Sequence, residues 1–249
     1  FPPQRAPLAA PFLFCGSGGI AAVMAEELAR RADAADEAAI AKAHAIYTPF
    51  MLSVYDVLVH GLSNRLAWRC PTRRLLELYR ANLSANHLEA GVGTGFFLDR
   101  AGASRLSRLV LIDINRHCLD RAARRLARFK PALYEVNLLA PIELDVVPFT
   151  SIGLTYVLHC LPGRMSEKLA AIDHLRPLMS EGAVLFGATI LGHGIVPNGA
   201  ARALLNLYNA KGVFNNREDD IASLSDGLRQ RFDRVEIETE GCVALFRAA

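Results

Sequence analysis

At 249 residues the chain has room for one large α/β domain, or one such domain with a small appendage. A hydrophobic content of 52% supplies a substantial core, while a net charge of only +3 gives no electrostatic case for nucleic acid as the main partner. The five scattered cysteines, Cys15, Cys70, Cys118, Cys160 and Cys242, lack C-x-x-C spacing, which argues against a disulfide framework or a zinc site and fits a reducing cytoplasm.

Taken in order, residues 1–19 are rich in Pro and Gly around a short apolar patch and read as a flexible extension. Residues 20–83 read as a helical cap, and residues 84–249 as the main domain. From Ile20 to Ala45 the chain is Ala-rich and carries Glu26, Glu27, Arg30 and Arg31, a strong helix composition. After Thr48-Pro49, apolar residues at Phe50, Leu52, Val54, Tyr55, Leu58 and Val59 recur with the period of an amphipathic helix. Gly61-Leu62-Ser63-Asn64 breaks it, and another helix is predicted from Arg73 to Leu83. No stretch of about 18 residues is apolar enough to predict a membrane span.

The stretch His87-Leu88-Glu89-Ala90-Gly91-Val92-Gly93-Thr94-Gly95-Phe96-Phe97 reads as a buried strand ending in an acidic residue, a glycine turn and the start of a helix. Alternating glycines let the backbone turn sharply and bring its N–H groups close to a ligand, and the helix places its positive end over the same spot. A dinucleotide fingerprint, G-x-G-x-x-G, would need its third glycine at position 96. That residue is Phe96, and the third glycine comes one residue earlier, at Gly95.

Arg108 to Asp113 is a second apolar strand ending in a carboxylate, and Asp113 stands 22 residues after Gly91. An acidic residue at about that interval accepts hydrogen bonds from both hydroxyls of a ribose, a task suited to an acceptor-only group. A helix is predicted over Arg116–Lys130, capped by Asn115. Arg121, Arg124, Arg125 and Arg128 lie on one face and Leu119, Ala122, Ala123 and Leu126 on the other. Without interleaved aromatics the arginines read as a solvated face rather than a nucleic-acid patch. Leu133–Asn137 is the third strand, and Phe149–Leu161 a fourth strand with its following helix. Then come an amphipathic helix, Met165–Leu178, and a buried strand, Ala183–Leu191. The long segment Gly192–Asn216 mixes amides and aromatics, a lining suited to a modest organic molecule. A helix, Ile221–Phe232, and a closing hairpin, 234–239 with 242–247, end the chain.

The run E-x-G-x-G-x-G, Asp113, Asn137, the Thr155–His159 region and the closing hairpin together resemble the class I S-adenosylmethionine-dependent methyltransferases of small-molecule type, over roughly residues 45–249. The resemblance implies an α/β fold: a Rossmann-like, doubly wound seven-stranded sheet, mostly parallel with a C-terminal antiparallel hairpin, beneath N-terminal lid helices. It implies S-adenosylmethionine as cofactor and S-adenosylhomocysteine as product. Gly91, Gly93 and Gly95 would wrap the methionyl and ribose part, with Glu89 reaching the methionyl amino group or fixing the loop. Asp113 would take the ribose. Asn137, where relatives carry Asp, would accept from the adenine amino group, and Leu138 would pack on adenine or on the core.

On the same resemblance Thr155 and Tyr55 line the cofactor pocket, with Tyr47 and Trp68 as further lining residues or plain core aromatics. Asn64, Arg65 and Arg69 meet the methionyl carboxylate or are surface residues. Thr155, Tyr156 and His159 fall at the reacting centre. His159 and His193 are the candidate bases, and His159 reads equally well as a buried structural residue. No metal is called for. Residues 155–162 read Thr-Tyr-Val-Leu-His-Cys-Leu-Pro, not the acidic-Pro-Pro-aromatic run that marks nucleic-acid and glutamine methylation. The acceptor is therefore expected to be a small metabolite, methylated on O, N or C, with specialised biosynthesis a natural setting. Two alternatives stay open: a relative that keeps the cofactor without transferring methyl, and a nicotinamide oxidoreductase, disfavoured by Phe96 and the hairpin. The oligomeric state is open too, a homodimer among the options.

Overall fold

Short apolar runs bounded by glycine and polar turns become the strands of one sheet, and the amphipathic stretches between them become its covering helices. A computed structural model describes residues 63–102 and 106–249; Tyr55, Tyr47 and the front helices up to residue 62 lie outside the described residues. The elements, in chain order, are α1 (Thr72–Asn82), β1 (Asn86–Ala90), α2 (Phe96–Arg100), β2 (Arg108–Asp113), α3 (Arg116–Arg125), β3 (Ala132–Glu135), β4 (Phe149–Thr155), α4 (Met165–Lys168), α5 (Ala170–Leu175), β5 (Met179–Ile190), α6 (Gly199–Ala210), α7 (Ile221–Arg229), β6 (Val235–Glu240) and β7 (Val243–Ala248).

The seven strands stand in the order β3-β2-β1-β4-β5-β7-β6. Strands β1 to β5 pair in parallel, whereas β7 runs antiparallel to both β5 and β6. The expected parallel sheet with a closing hairpin is what forms. Successive side chains point to opposite faces, so one strand feeds two cores. Leu109, Leu111, Phe186 and Ala188 pack with α1, α2, α3 and α6 on one side. Val110, Ile112, Ile152 and Leu185 pack with α4, α5 and α7 on the other. Strands buried on both faces read as near-continuous apolar runs, which is why β2 and β5 were plain in the sequence. Chain connectivity reverses direction between β1 and β4, the place where an open α/β sheet leaves a crevice at the carboxyl ends of its strands.

Several boundaries differ from expectation, each for a local reason. α3 ends at Arg125 and a 3-10 turn, Ala127–Phe129, closes it short of Lys130, because Pro131 disfavours helical geometry in the residue before it. Lys130 sits at φ 47° instead. The single helix expected over Met165–Leu178 is three short pieces, the last a 3-10 turn, Arg176–Leu178, containing Pro177. The long segment Gly192–Asn216 contains a helix, α6, capped by Asn198, whose Oδ1 accepts the Ala201 N–H at 2.8 Å. Residues 67–79 contribute Trp68, Cys70, Leu75 and Tyr79 to the same core as the sheet. Among the described residues no helix is long and apolar enough to cross a membrane.

Candidate active site

The glycine loop joins β1 to α2 with all three glycines in the left-handed region, at φ 68°, 53° and 71°. They are needed for different reasons. A Cβ on Gly91 would lie 2.3 Å from Val157 Cγ2, so the residue must be small as well as left-handed. A Cβ on Gly93 would meet none of the described residues within 4 Å. Gly95 is the N-cap of α2.

Asp113, at the end of β2, is bound to this loop. Its Oδ2 accepts the Gly93 N–H at 3.1 Å and its Oδ1 the Asn115 N–H at 2.9 Å. The carboxylate keeps acceptor capacity for a hydroxyl donor. Burial pushes the carboxyl up to about 6, against the pull of the backbone N–H groups of Asn115, Gly93 and Ile114. Asn115 caps α3 as its place before the helix suggested, accepting the His117 N–H at 2.9 Å. Asn137 Oδ1 accepts the Leu139 N–H at 3.0 Å, an Asx turn that leaves the carbonyl a second lone pair. Leu138 is buried in the core on the α4–α5 side of the sheet, and its carbonyl meets His174 Nδ1 at 2.9 Å.

Glu89 does not stand free at the loop. Tyr79 donates to its Oε1 at 2.5 Å, His87 Nε2 lies 2.9 Å from its Oε2, and His87 Nδ1 is 2.8 Å from Ser151 Oγ. All four residues are buried. Burial and the adjacent Glu89 charge hold the Tyr79 phenol well above its usual range. Gly153 makes room for this network, since a Cβ there would lie 2.4 Å from Glu89 Oε2. Tyr79, His87 and Gly153 were not singled out from the sequence, although His87 and Glu89, two apart on a strand, necessarily share a face. Among the described residues the buried Thr155 hydroxyl has no hydrogen bond of good geometry, yet it lies close enough to Tyr79 to lower that phenol's proton affinity.

Tyr156 follows at φ 62°, strained for a non-glycine residue by on the order of 1–3 kcal/mol. Its ring is half-buried in a row of aromatic contacts: Phe97 at 6.1 Å, His159 at 5.7 Å, then Phe214 against His159 at 4.5 Å and Tyr208 against Phe214 at 4.9 Å. Trp68 meets Phe214 at 6.0 Å and is a core aromatic. The two candidate bases are placed very differently. His159 is buried in a 3-10 turn, its Nδ1 accepts the Ile190 N–H at 3.3 Å, and burial with the nearby Lys168 charge lowers its pKa to about 3. His193 is exposed just past β5, with Nδ1 3.9 Å from Asp220 Oδ2. Asn64 is buried between Thr72 and Tyr156, whereas Arg65 and Arg69 are exposed.

A model of the "Methyltransferase domain" family matches residues 88–185, from β1 through the start of β5. Demethylluteothin O-methyltransferase of Streptomyces thioluteus is 37% identical over 203 residues, which cover 81% of this chain and 88% of that protein. This chain belongs to the S-adenosylmethionine-dependent methyltransferases. The physcion biosynthesis cluster O-methyltransferase of Aspergillus chevalieri is 34% identical over 206 residues, 82% of this chain and 93% of its own length. Among solved structures, the complex of DhpI with S-adenosylhomocysteine matches with a TM-score of 0.61 at 14% identity, over 83% of this chain and 95% of the other. The methyltransferase therefore uses S-adenosylmethionine, and the residues present fit it. Among the described residues nothing fills the space over Gly93, and Asp113, bonded to the Gly93 N–H, presents acceptor capacity beside it.

Proposed function

We propose that this methyltransferase forms a methyl ether on a hydroxyl of an aromatic small metabolite in a specialised biosynthetic route. The observation that carries the reading is the row of aromatic rings running from Phe97 through Tyr156, His159 and Phe214 to Tyr208 at the carboxyl ends of β4 and β5. Its half-buried rings, Tyr156 and Tyr208, backed by the buried Phe97, His159 and Phe214, suit a flat, largely apolar acceptor. The O-methyltransferase relatives, similar over four-fifths of this chain, support oxygen as the acceptor atom. NcsB1, an O-methyltransferase of the same fold (TM-score 0.55), binds 2-hydroxy-5-methyl naphthoic acid, a molecule of this shape.

When bound, S-adenosylmethionine supplies a methyl already activated on a sulfonium, so the protein's work is positioning and proton removal. In this reading Gly91, Gly93 and Gly95 form the cradle, Asp113 takes the ribose hydroxyls, and Asn137 takes the adenine amino group with its second lone pair. Glu89, committed to Tyr79 and His87, fixes the end of β1 beneath the loop. His193, exposed and facing Asp220, takes the proton of the acceptor hydroxyl. His159 is too reluctant to hold a proton for that task and packs the aromatic row instead. Tyr156 orients the acceptor. A cytoplasmic setting is supported by the free thiols of Cys70, Cys118, Cys160 and Cys242.

The test is turnover. The protein, S-adenosylmethionine and a panel of phenols that includes 1,4-dihydroxy-2-naphthoic acid, with anilines as nitrogen controls, are analysed by mass spectrometry. The expected result is a methyl ether and S-adenosylhomocysteine in equal amounts. Methyl on nitrogen or carbon contradicts the oxygen assignment. Tight binding of S-adenosylhomocysteine with no transfer to any acceptor points to the non-transferring relative.

A further inference from the structure

Tyr156 keeps its left-handed backbone because several contacts converge on it. Its N–H donates to the Ala188 carbonyl at 2.7 Å, and its ring lies edge-on to Phe97 and His159. Its phenol donates to Asn64 Oδ1 at 3.0 Å. This last partner comes from 92 residues earlier, in a segment that no methyltransferase motif covers. Asn64 is fully buried and braced, its Nδ2 donating to Thr72 Oγ1 at 3.2 Å and its carbonyl accepting the Cys70 N–H at 2.9 Å.

The segment carrying Asn64, residues 63–70, is laced to two other elements. The Leu66 carbonyl accepts from Asn198 Nδ2 at 2.7 Å, at the cap of α6. The Trp68 carbonyl accepts the Cys242 N–H at 2.8 Å, at the turn between β6 and β7. Gly241 in that turn is held to glycine, because a Cβ would lie 2.1 Å from the Trp68 carbonyl oxygen. The segment is thus a strap fixed to the hairpin, to the wall before α6 and, through one side chain, to the end of β4.

We propose that Asn64 is a positioning residue for methyl transfer, latching this strap to Tyr156 and committing the phenol's proton. With its O–H given to Asn64, the Tyr156 ring is held in one orientation, so it fixes the pose of the acceptor's ring while the acceptor's proton is left to His193. The positioning role rests on the O-methylation reading; the latch does not.

Hydrogen exchange on the whole chain, without acceptor, tests the latch. In Tyr156→Phe the Trp68 and Cys70 amides are expected to exchange about tenfold faster than in the wild type, with Ile152 and Leu154 in β4 unchanged. Unchanged exchange at Trp68 and Cys70 overturns the latch, whatever the acceptor proves to be. Kinetics test the positioning role on a phenol that the wild type methylates. Tyr156→Phe and Asn64→Ala are each expected to lower kcat about tenfold, with S-adenosylhomocysteine affinity within about threefold and the double variant no slower than either. Wild-type kcat in Tyr156→Phe, or losses that multiply, overturns it. If Asn64→Ala does not fold, Asn64→Asp keeps an acceptor oxygen and is expected to retain most of kcat where Tyr156→Phe loses it; equal losses in both overturn the role. Should the wild type methylate no phenol, the O-methylation reading fails, and the exchange result still decides the latch.

Discussion

Asp113 carries two pH dependences of opposite sign. Its folded-state pKa, about 6, lies above the ordinary carboxylate value, so protonation favours the folded chain. The stability contributed by this group is thus lowest above pH 6 and rises as pH falls through 6 toward the unfolded value. In its proposed ribose role cofactor binding runs the other way, because only the carboxylate can accept from both hydroxyls. Calorimetric titration with S-adenosylhomocysteine is expected to show affinity falling as pH drops below about 6, by at most roughly tenfold per unit for one proton; affinity flat between about pH 7 and 5 would contradict this role. The acidic residue and its interval were legible in the sequence, but its proton affinity was not, since that depends on burial and on three backbone N–H groups. His159 makes the same point. Its position at the end of β4 was readable, while the neutral state imposed by burial and by Lys168 required the fold.

The glycine loop allows a sharper test at the level of an element. Gly91→Ala would force a Cβ into Val157 and is expected to destabilise the fold, by about 2 kcal/mol or more from left-handed strain and overpacking together. Gly93→Ala meets no described residue, so its expected cost is the left-handed strain of about 1–2 kcal/mol. It should nonetheless lose at least about tenfold in S-adenosylhomocysteine affinity, because its methyl enters the ligand's space. Thermal melts and titrations of both variants check this; a Gly93→Ala protein that binds normally would move the ligand off the loop. Elements with a strong local period or an unbroken apolar run were legible: β1, β2, β5, the closing hairpin and α3. α6 is masked by the amides of Gly192–Asn216, although Asn198 before a run of alanines and leucines is a helix start. The helix over Met165–Leu178 was overread because its period continues through Pro177.

Across the whole molecule, long-range polar contacts complete the site, and these the sequence could not show. Lys168, fully buried on α4, donates to Asp219 Oδ2 at 2.6 Å and to the Asn215 carbonyl at 2.7 Å, from 51 and 47 residues away. Burial draws the lysine's pKa down and the aspartate's up, while their contact opposes both shifts. Such a pair does not add much net stability, but losing one partner would leave a buried charge, so it fixes where residues 215–219 lie. The Asp219 carbonyl in turn accepts the N–H groups of Gly192 and His193, and the Asn215 N–H donates to the His159 carbonyl. Candidate base, aromatic row and substrate wall are thereby tied into one frame. In the proposed reading this frame serves a cofactor held by the glycine loop and Asp113, and calorimetric titration of S-adenosylhomocysteine into the wild type and Asp113→Ala tests that claim most directly. The account predicts one-to-one binding to the wild type and a loss of at least about 100-fold in the variant, the worth of two hydrogen bonds to a charged group. Equal affinity in the two proteins would contradict it.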